Sequence, residues 1–436
     1  MKKTATINNK YDLLNSANKS PVFILSHDPR SNPKYPEINI IALSLSRDLG
    51  REGVPVIRFH PNKLDFGLSS RYCMHMECPN LDKEEELLSF IINYGKRCKK
   101  KGVMFPASDE CLGFINKYQE VLRKFYEIPL PEREVISNIL NKKRQYEIAV
   151  LAQVDIPETF FPQHYADVID LGKNIDYPSV IKPIIAHSWR KPLIETELKW
   201  GKAVMVKDRD ELIKRYKEIS KLDRNIMVQN VIQGEVERNI TFLCYYNRTS
   251  ELLAYCIRKK LRQYPMGFGY CCLTKSENIP VVKELANRLL RSLHYKGIAG
   301  VEFKLDAIDN RYKLIEINAR PVQTVGLASA AGVNLPYICY LDMLGAYDRK
   351  TKMPLFKENV TWIYLDKEFD MARHLIKKRK LTLGNWLKIF AGKKTFAVLS
   401  FDDLTPFIKL WYLKMKLAIL NRLNFLLKLM LRRKQC

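Results

Sequence analysis

Gly300-Val301-Glu302-Phe303-Lys304-Leu305-Asp306 is followed, after Ala307-Ile308-Asp309-Asn310-Arg311, by Tyr312-Lys313-Leu314-Ile315-Glu316-Ile317-Asn318-Ala319-Arg320. In the first run Val301, Phe303 and Leu305 alternate with Glu302, Lys304 and Asp306; in the second, Leu314, Ile315 and Ile317 surround Glu316. Both patterns predict β-strands, and the short polar break between them predicts an antiparallel hairpin. Successive side chains on a strand point to opposite faces, so Glu316 and Asn318 share one, and a suitable register brings Glu302 to it from the neighbouring strand. Two carboxylates and an amide oxygen then converge. Such a set suits Mg²⁺, a hard cation that prefers oxygen, keeps several waters and is usually completed by substrate phosphates. Arg320 reaches the same face, where its planar fork can grip a phosphate or a carboxylate at two points. A lone glutamate on a strand most often faces water. Here Glu316 and Asn318 interrupt an otherwise apolar run, which sets them apart.

These residues resemble the signature of the ATP-grasp ligases, in which a strand acid and a Glu-x-Asn on the next strand bind two Mg²⁺ ions (or Mn²⁺) that bridge the phosphates of ATP. The resemblance makes Glu302, Glu316 and Asn318 metal ligands and Arg320 a catalytic arginine facing an acyl phosphate. Three further stretches fit in the order the family requires. Asn141-Lys142-Lys143 opens a helical run and resembles the turn whose lysine, here Lys142, meets ATP. Tyr177-Pro178-Ser179-Val180-Ile181-Lys182-Pro183 resembles the strand whose lysine, here Lys182, acts as a point charge on phosphate oxygen. Ile226 to Gly234 resembles the strand and hinge around adenine, implying Gln229, Asn230 and Ile232 as nucleotide contacts, with Glu235 or Glu237 reaching the ribose; Glu237 is the residue carried forward. Arg258, Lys259, Lys260 and Arg262 form a basic cluster where such ligases face the acyl phosphate, with Arg262 as a second catalytic candidate; a solvated strand edge is an equal reading.

The chain also departs from the family pattern. Many members follow the phosphate lysine with a glycine-rich loop whose backbone N–H groups wrap the triphosphate. Here the loop reads Ile184-Ile185-Ala186-His187-Ser188-Trp189-Arg190-Lys191, without glycine, so Ser188, His187 or Arg190 are the candidate substitutes.

At 436 residues the chain exceeds what one core usually organises, so two or three domains are expected. Its formal charge of +26 favours anionic partners: nucleotides, nucleic acid or an acidic membrane surface. No nucleic-acid motif and no long basic block interleaved with aromatics is visible, which makes nucleic acid a minor reading. The ten cysteines show no Cys-x-x-Cys pair and no zinc spacing, and adjacent Cys271 and Cys272 are poorly placed for an ordinary disulfide. Reduced thiols are expected. Residues 1–19 lack the apolar core of a secretory signal, so a cytoplasmic protein is expected, with a peripheral place on the inner membrane face left open by its basic C-terminus.

From Pro21 to about Leu130, strand-like and helix-like runs alternate, which predicts a parallel α/β layer. Val22 to Leu25, Val54 to Phe59 and Val103 to Pro106 read as its strands, while Ser108 and Asp109 at a strand's carboxyl end are either substrate contacts or a helix N-cap. The fold class expected is mixed α/β and α+β. A preATP-grasp domain at 20–130 is followed by an ATP-grasp fold of two subdomains, a lid at 131–235 and a metal and nucleotide sheet at 236–348, then by a helical basic extension at 349–436. Its last helix candidate, Phe407 to Arg433, mixes apolar residues with Lys409, Lys414, Lys416, Arg422 and Lys428 and is too charged to cross a bilayer. A membrane interface and packing on the protein itself or on a partner are equal readings, because Leu413, Leu417 and Leu420 fall on the side of Lys409 and Lys416.

The activity implied by the resemblance is ADP-forming ligation of a small-molecule carboxylate to an amine, or less often a thiol, through an acyl phosphate. Two alternatives stay open: a membrane-associated cell-envelope ligase of the D-aspartate ligase type, and a nucleotide-binding regulator without turnover. A homo-oligomer is compatible with either.

Overall fold

The computed structural model describes residues 19–27, 38–62, 65–185, 188–189, 203–267, 269–417 and 419. Three sheets organise them. The first contains β1 (Val22–Leu25), β2 (Val56–His60), β3 (Met74–Glu77), β4 (Gly102–Pro106) and β5 (Tyr126–Glu127), in the order β3-β2-β1-β4-β5. Every pairing in it is parallel. β1, β2 and β4 are buried from end to end, as expected of parallel strands covered by helices on both faces. Phe23 stacks on Phe59 and meets Tyr94 and Tyr126 edge to face inside this layer, as Phe59 meets Tyr94, with ring centroids 5.0–5.6 Å apart.

The second sheet contains β6 (Thr159–Phe160), β7 (Ser179–Pro183), β8 (Val204–Val206) and β9 (Ile226–Asn230), in the order β6-β9-β7-β8. All its pairs are antiparallel. The helices Tyr165–Asn174 and Arg209–Ile219 close its core with Val168, Leu212, Tyr216 and Ile219.

The third sheet contains β10 (Asn239–Tyr246), β11 (Leu252–Tyr264), β12 (Tyr270–Ser276), β13 (Gly297–Leu305), β14 (Tyr312–Asn318), β15 (Thr361–Ile363) and β16 (Lys394–Phe396). Its order is β14-β13-β10-β11-β12-β15-β16. One face carries Ile240, Phe242, Tyr255, Ile257, Val301 and Phe303 against Val282, Ala286, Leu289 and Leu290 of the helix Pro280–Ser292. The other face changes character along its length. Tyr245, Ile298 and Ala254 pair across β10, β13 and β11, as do Leu243, Gly300 and Cys256, and the apolar members of these rows join the core shared with the first sheet and the helices Val325–Ala330 and Leu335–Met343. The next row on that face is Glu316, Glu302, Thr241 and Arg258. In this row the face turns polar although Thr241 and Arg258 are still buried.

The segment after residue 348 is only partly helical: β15 and β16 extend the large sheet, and the helix Leu365–Lys377 contributes the buried Glu368. Its Asp402 and Asp403 strap the first domain. Asp403 accepts from Arg47 Nε at 2.9 Å, Ser70 Oγ at 2.7 Å and the Arg71 N–H at 3.0 Å, and Asp402 takes the Arg51 guanidinium in two bonds of 2.8 and 3.0 Å. Residues 405–417 are helical, whereas the remainder of the predicted Phe407 to Arg433 helix, apart from Ile419, lies outside the described residues.

Candidate active site

The hairpin β13–β14 is antiparallel, with Glu302 directly opposite Glu316 and Gly300 opposite Asn318; the register slips between Glu302 and Phe303. Glu302, Glu316 and Asn318 therefore share a face. Gly300 is needed for the chain to continue: a Cβ there would sit 2.7 Å from Val322 Cγ1, so only glycine lets the segment after β14 fold back across the sheet. That fold-back carries Arg320 to the first domain, where its Nε donates to Asp109 Oδ1 at 2.6 Å. Ser108 is the N-cap of the helix Asp109–Lys117, accepting from the Cys111 N–H, and its own hydroxyl donates to the His27 carbonyl.

The helix Lys142–Leu151, whose cap residue Asn141 bridges to Ile185 just after β7, reaches the site from the side of the second sheet. Asn141 caps it, accepting from the N–H groups of Lys143 and Arg144, and thereby aims Lys142 at the sheet. Lys142 Nζ lies 3.3 Å from Glu316 Oε2. One turn further, Gln145 accepts from the Ile317 N–H at 3.1 Å, and the Tyr146 hydroxyl donates to the Ile315 carbonyl at 3.0 Å. Gln145 and Tyr146 thus pin the helix to the backbone of β14, a role that the apolar pattern of the helix did not announce. A buried polar side chain that meets main-chain groups is read from partners, not from periodicity.

Lys182 on β7 donates to Gln229 Oε1 at 2.8 Å, and Gln229 Nε2 donates to Thr159 Oγ1 and Tyr146 Oη. Burial lowers the Lys182 pKa to about 7, reinforced by the charge of Lys142 and opposed by Glu316. For Lys142 burial also acts downward, but Glu316, Tyr146 and Asp109 together outweigh it and the ammonium is held above its ordinary value. The two lysines and Glu316 are electrostatically coupled, so the structure brings the candidate phosphate lysines and the metal carboxylates into one place.

The remaining candidates fall at different distances from this centre. Asn230 bonds Glu158 and accepts from Ser179, at the outer end of β9. Ile232 is buried and its carbonyl accepts from Lys304 at 2.7 Å. Glu237 is exposed in a short 3₁₀ turn, while Glu235 is close enough to act on Lys304, more weakly than Asp306 does and against the burial that lowers that lysine's pKa. Arg262 is engaged elsewhere: its Nε lies 2.8 Å from Glu368 Oε1, a fully buried carboxylate whose pKa burial raises against the pull of that arginine. The member of the basic cluster that stands in the carboxylate row is Arg258. It is 4% exposed, its Nη2 lies 3.5 Å from Glu302 Oε1, and its buried Nε has no hydrogen-bond partner among the described residues. Only the register that sets Arg258 opposite Thr241, across from Glu302, singles it out from the rest of the cluster. Ser188 donates to Asp223, and His187 and Arg190 lie outside the described residues.

The donor set fits a divalent cation. Two carboxylates directly opposite on one sheet face repel each other, and a hard cation held by both, with the Asn318 amide oxygen, removes that repulsion. Among the described residues no group of three or more His, Cys, Asp or Glu is placed to hold a metal ion. The nine cysteines among the described residues are free.

A parallel α/β domain, a small antiparallel sheet and a large antiparallel sheet bearing these acids make up the ATP-grasp fold. Within that class, residues 223–367 match the family described as ATP-grasp in the biosynthetic pathway with Ter operon. The D-aspartate ligase of Enterococcus faecium (strain Aus0004) is 20% identical over 269 residues, 59% of this chain and 63% of that protein, so the match spans less than two thirds of the curated relative. Among solved structures, the biotin carboxylase domain of Hydrogenobacter thermophilus 2-oxoglutarate carboxylase, in complex with MgADP, ADP and bicarbonate, has a TM-score of 0.58 at 14% identity, covering 79% of this chain and 74% of that one. The L-amino acid ligase of Bacillus licheniformis has a TM-score of 0.56 at 16% identity, covering 76% and 77%. N5-carboxyaminoimidazole synthetase of Staphylococcus aureus, complexed with ADP, has a TM-score of 0.57 at 13% identity, covering 84% and 88%. At these identities the likeness is one of fold.

Proposed function

We propose that this chain is an ADP-forming ligase that joins a carboxylate to an amine through an acyl phosphate, using ATP and Mg²⁺. The observation that carries this reading is the single row Glu316, Glu302, Thr241 and Arg258, faced by Lys142 and Lys182 from the lid. The likeness to a D-aspartate ligase and an L-amino acid ligase supports a carboxylate and an amine as the small-molecule substrates. A peptide-type amide is accordingly favoured over a thioester.

Glu302, Glu316 and Asn318 would hold the metal, which when bound neutralises phosphate charge. Lys182 and Lys142 meet the nucleotide phosphates as point charges. Gln229 keeps Lys182 oriented, and Tyr146 keeps Gln229 in place. The substrate carboxylate attacks the γ-phosphorus and ADP leaves. The amine then attacks the acyl carbon, the C–O bond to phosphate breaks, and the amine nitrogen gives up a proton. Arg258 supplies a desolvated guanidinium beside Glu302 for the anionic intermediate, and Arg320, held by Asp109, braces the first domain against the sheet. Phosphoryl transfer is mainly positioning and charge neutralisation, so no nucleophilic side chain is required. The lid excludes water that would hydrolyse the acyl phosphate.

Intact acids and lysines favour turnover over a purely regulatory role. Phosphate release screened over carboxylate and amine pairs, with Glu316→Gln as control, tests the reading. Pair-dependent release in the wild type and none in the variant supports it, and equal behaviour of the two sinks it.

A further inference from the structure

Residues 404–436 contain eight Lys or Arg and no Asp or Glu. Within them, the helical residues 405–417 pack on the helix Leu365–Lys377 through one side only. Leu410 is buried, Trp411 meets Phe369 with ring centroids 5.8 Å apart, and Lys414 pairs with Asp366. The adjacent side carries Leu404, Ile408, Tyr412, Met415 and Ile419, each 40–67% exposed. At about 100° per residue these five fall in a sector of about 80°, and the exposed Lys409 and Lys416 lie about 40–60° beyond its outer edge. The predicted Leu413 and Leu417 are half-buried instead, because Phe407, Leu410 and Trp411 fix which side faces the protein. The supporting helix ends in exposed Lys377-Lys378-Arg379-Lys380, followed by exposed Leu383 and Leu387.

We propose that this apolar stripe with its basic flank is a docking face for an anionic lipid bilayer. No helix of the described residues is long and apolar enough to cross a membrane, so the helix would lie in the interface, its apolar side among acyl chains and its lysines at the headgroups. Charge complementarity selects the occupant. A run of 33 residues without a single acid suits a uniformly negative surface. Nucleic acid offers the same phosphate charge but no apolar phase for Ile408, Met415 and Ile419. None of the stripe's residues is among those assigned to ligation, so the docking face and the ligase reading can fail independently.

The test is sedimentation of the full chain with vesicles of phosphatidylcholine alone or of equimolar phosphatidylcholine and phosphatidylglycerol. The protein should pellet with the mixed vesicles and not with phosphatidylcholine alone. Ile408→Asp with Met415→Asp, and separately Lys409→Glu with Lys416→Glu, should each lower the partition at least about tenfold, since each basic residue near an anionic surface contributes about fivefold. All four side chains are exposed, and the thermal midpoint of both variants should match the wild type. A wild type that stays in the supernatant overturns the proposal, as does pelleting that neither variant changes. A dimer seen without lipid and abolished by the Ile408 and Met415 changes, with no vesicle binding, assigns the stripe to a second copy instead.

Discussion

Of the acids that face arginines among the described residues, those of the strap and Glu302 of the large sheet are treated differently. Asp402 and Asp403, in the strap over the first domain, are fully provided with donors: Asp403 takes Arg47, Ser70 and the Arg71 backbone, and Asp402 takes Arg51, Tyr72 and Ser400, with the Arg51 bonds holding its carboxyl well below the usual carboxylate range. Glu302, on the open end of the large sheet, makes one ion pair among the described residues, at 3.5 Å, although Arg258 is almost wholly buried. Completed donor sets at short distance make an interdomain fastening. A long pair, two opposed carboxylates and a lysine titrating near neutrality make a place where charge is still to be supplied. The same residue types thus separate into a joint and a site according to how completely their hydrogen bonds are met.

Substitution should break that contrast in opposite directions. Glu316→Gln, or removal of divalent cation by chelation, should lower substrate-dependent phosphate release by about 10³-fold or more. The variant's unfolding free energy should stay within about 1 kcal/mol of wild type, because its pair with Lys142 is partly solvated. Asp403→Asn should do the reverse: it leaves Arg47 buried against a neutral group, costing about 3–5 kcal/mol in chemical denaturation, with the turnover of the remaining folded protein retained. If Asp403→Asn abolished turnover at full stability, the strap would belong to the site.

The lysine that titrates low sharpens the comparison. Above its value of about 7, free Lys182 is mostly neutral, and a triphosphate beside it restores the charge. Nucleotide binding should therefore take up nearly one proton at about pH 8 and almost none at about pH 6. Calorimetry in buffers of different ionisation enthalpy reads this directly, and Lys182→Met should remove the uptake. The smallest effect belongs to the exposed half of the strap. Asp402→Asn should cost less than about 1 kcal/mol and less still in high salt, since Arg51 and Asp402 are both 42% exposed.

Much of this was legible in the chain. Glu302, Glu316 and Asn318 stood out because polar residues interrupt apolar alternation, and β13 and β14 place them as that alternation requires. Lys142 and Lys182 were legible only through the resemblance of their stretches to the ATP-grasp turn and strand, and the electrostatic coupling of the two lysines and Glu316 bears on both. What the chain did not reveal is long-range. Arg320 meets Asp109 across 211 residues, and nothing local to either announces the other. Arg258 and Arg262 look alike in sequence, yet a register irregularity between Lys260 and Gln263 and a buried Glu368 more than a hundred residues later send them to different partners. β3, β15 and β16 have only three or four residues each, too short for a periodic signal. In the C-terminal helix, apolar residues surround the axis, so only packing by Leu410 and Trp411 reveals which of them remain outside.

The claim on which the account rests is that Glu302, Glu316 and Asn318 grip a divalent cation together with nucleotide phosphates. Crystals grown with Mn²⁺ and a non-hydrolysable ATP analogue give the direct answer in an anomalous difference map. The account predicts a peak at about 2.0–2.3 Å from oxygens of Glu316 and Asn318, within reach of Glu302, bridged to the phosphates. An ordered nucleotide with no metal peak between those three side chains would contradict it.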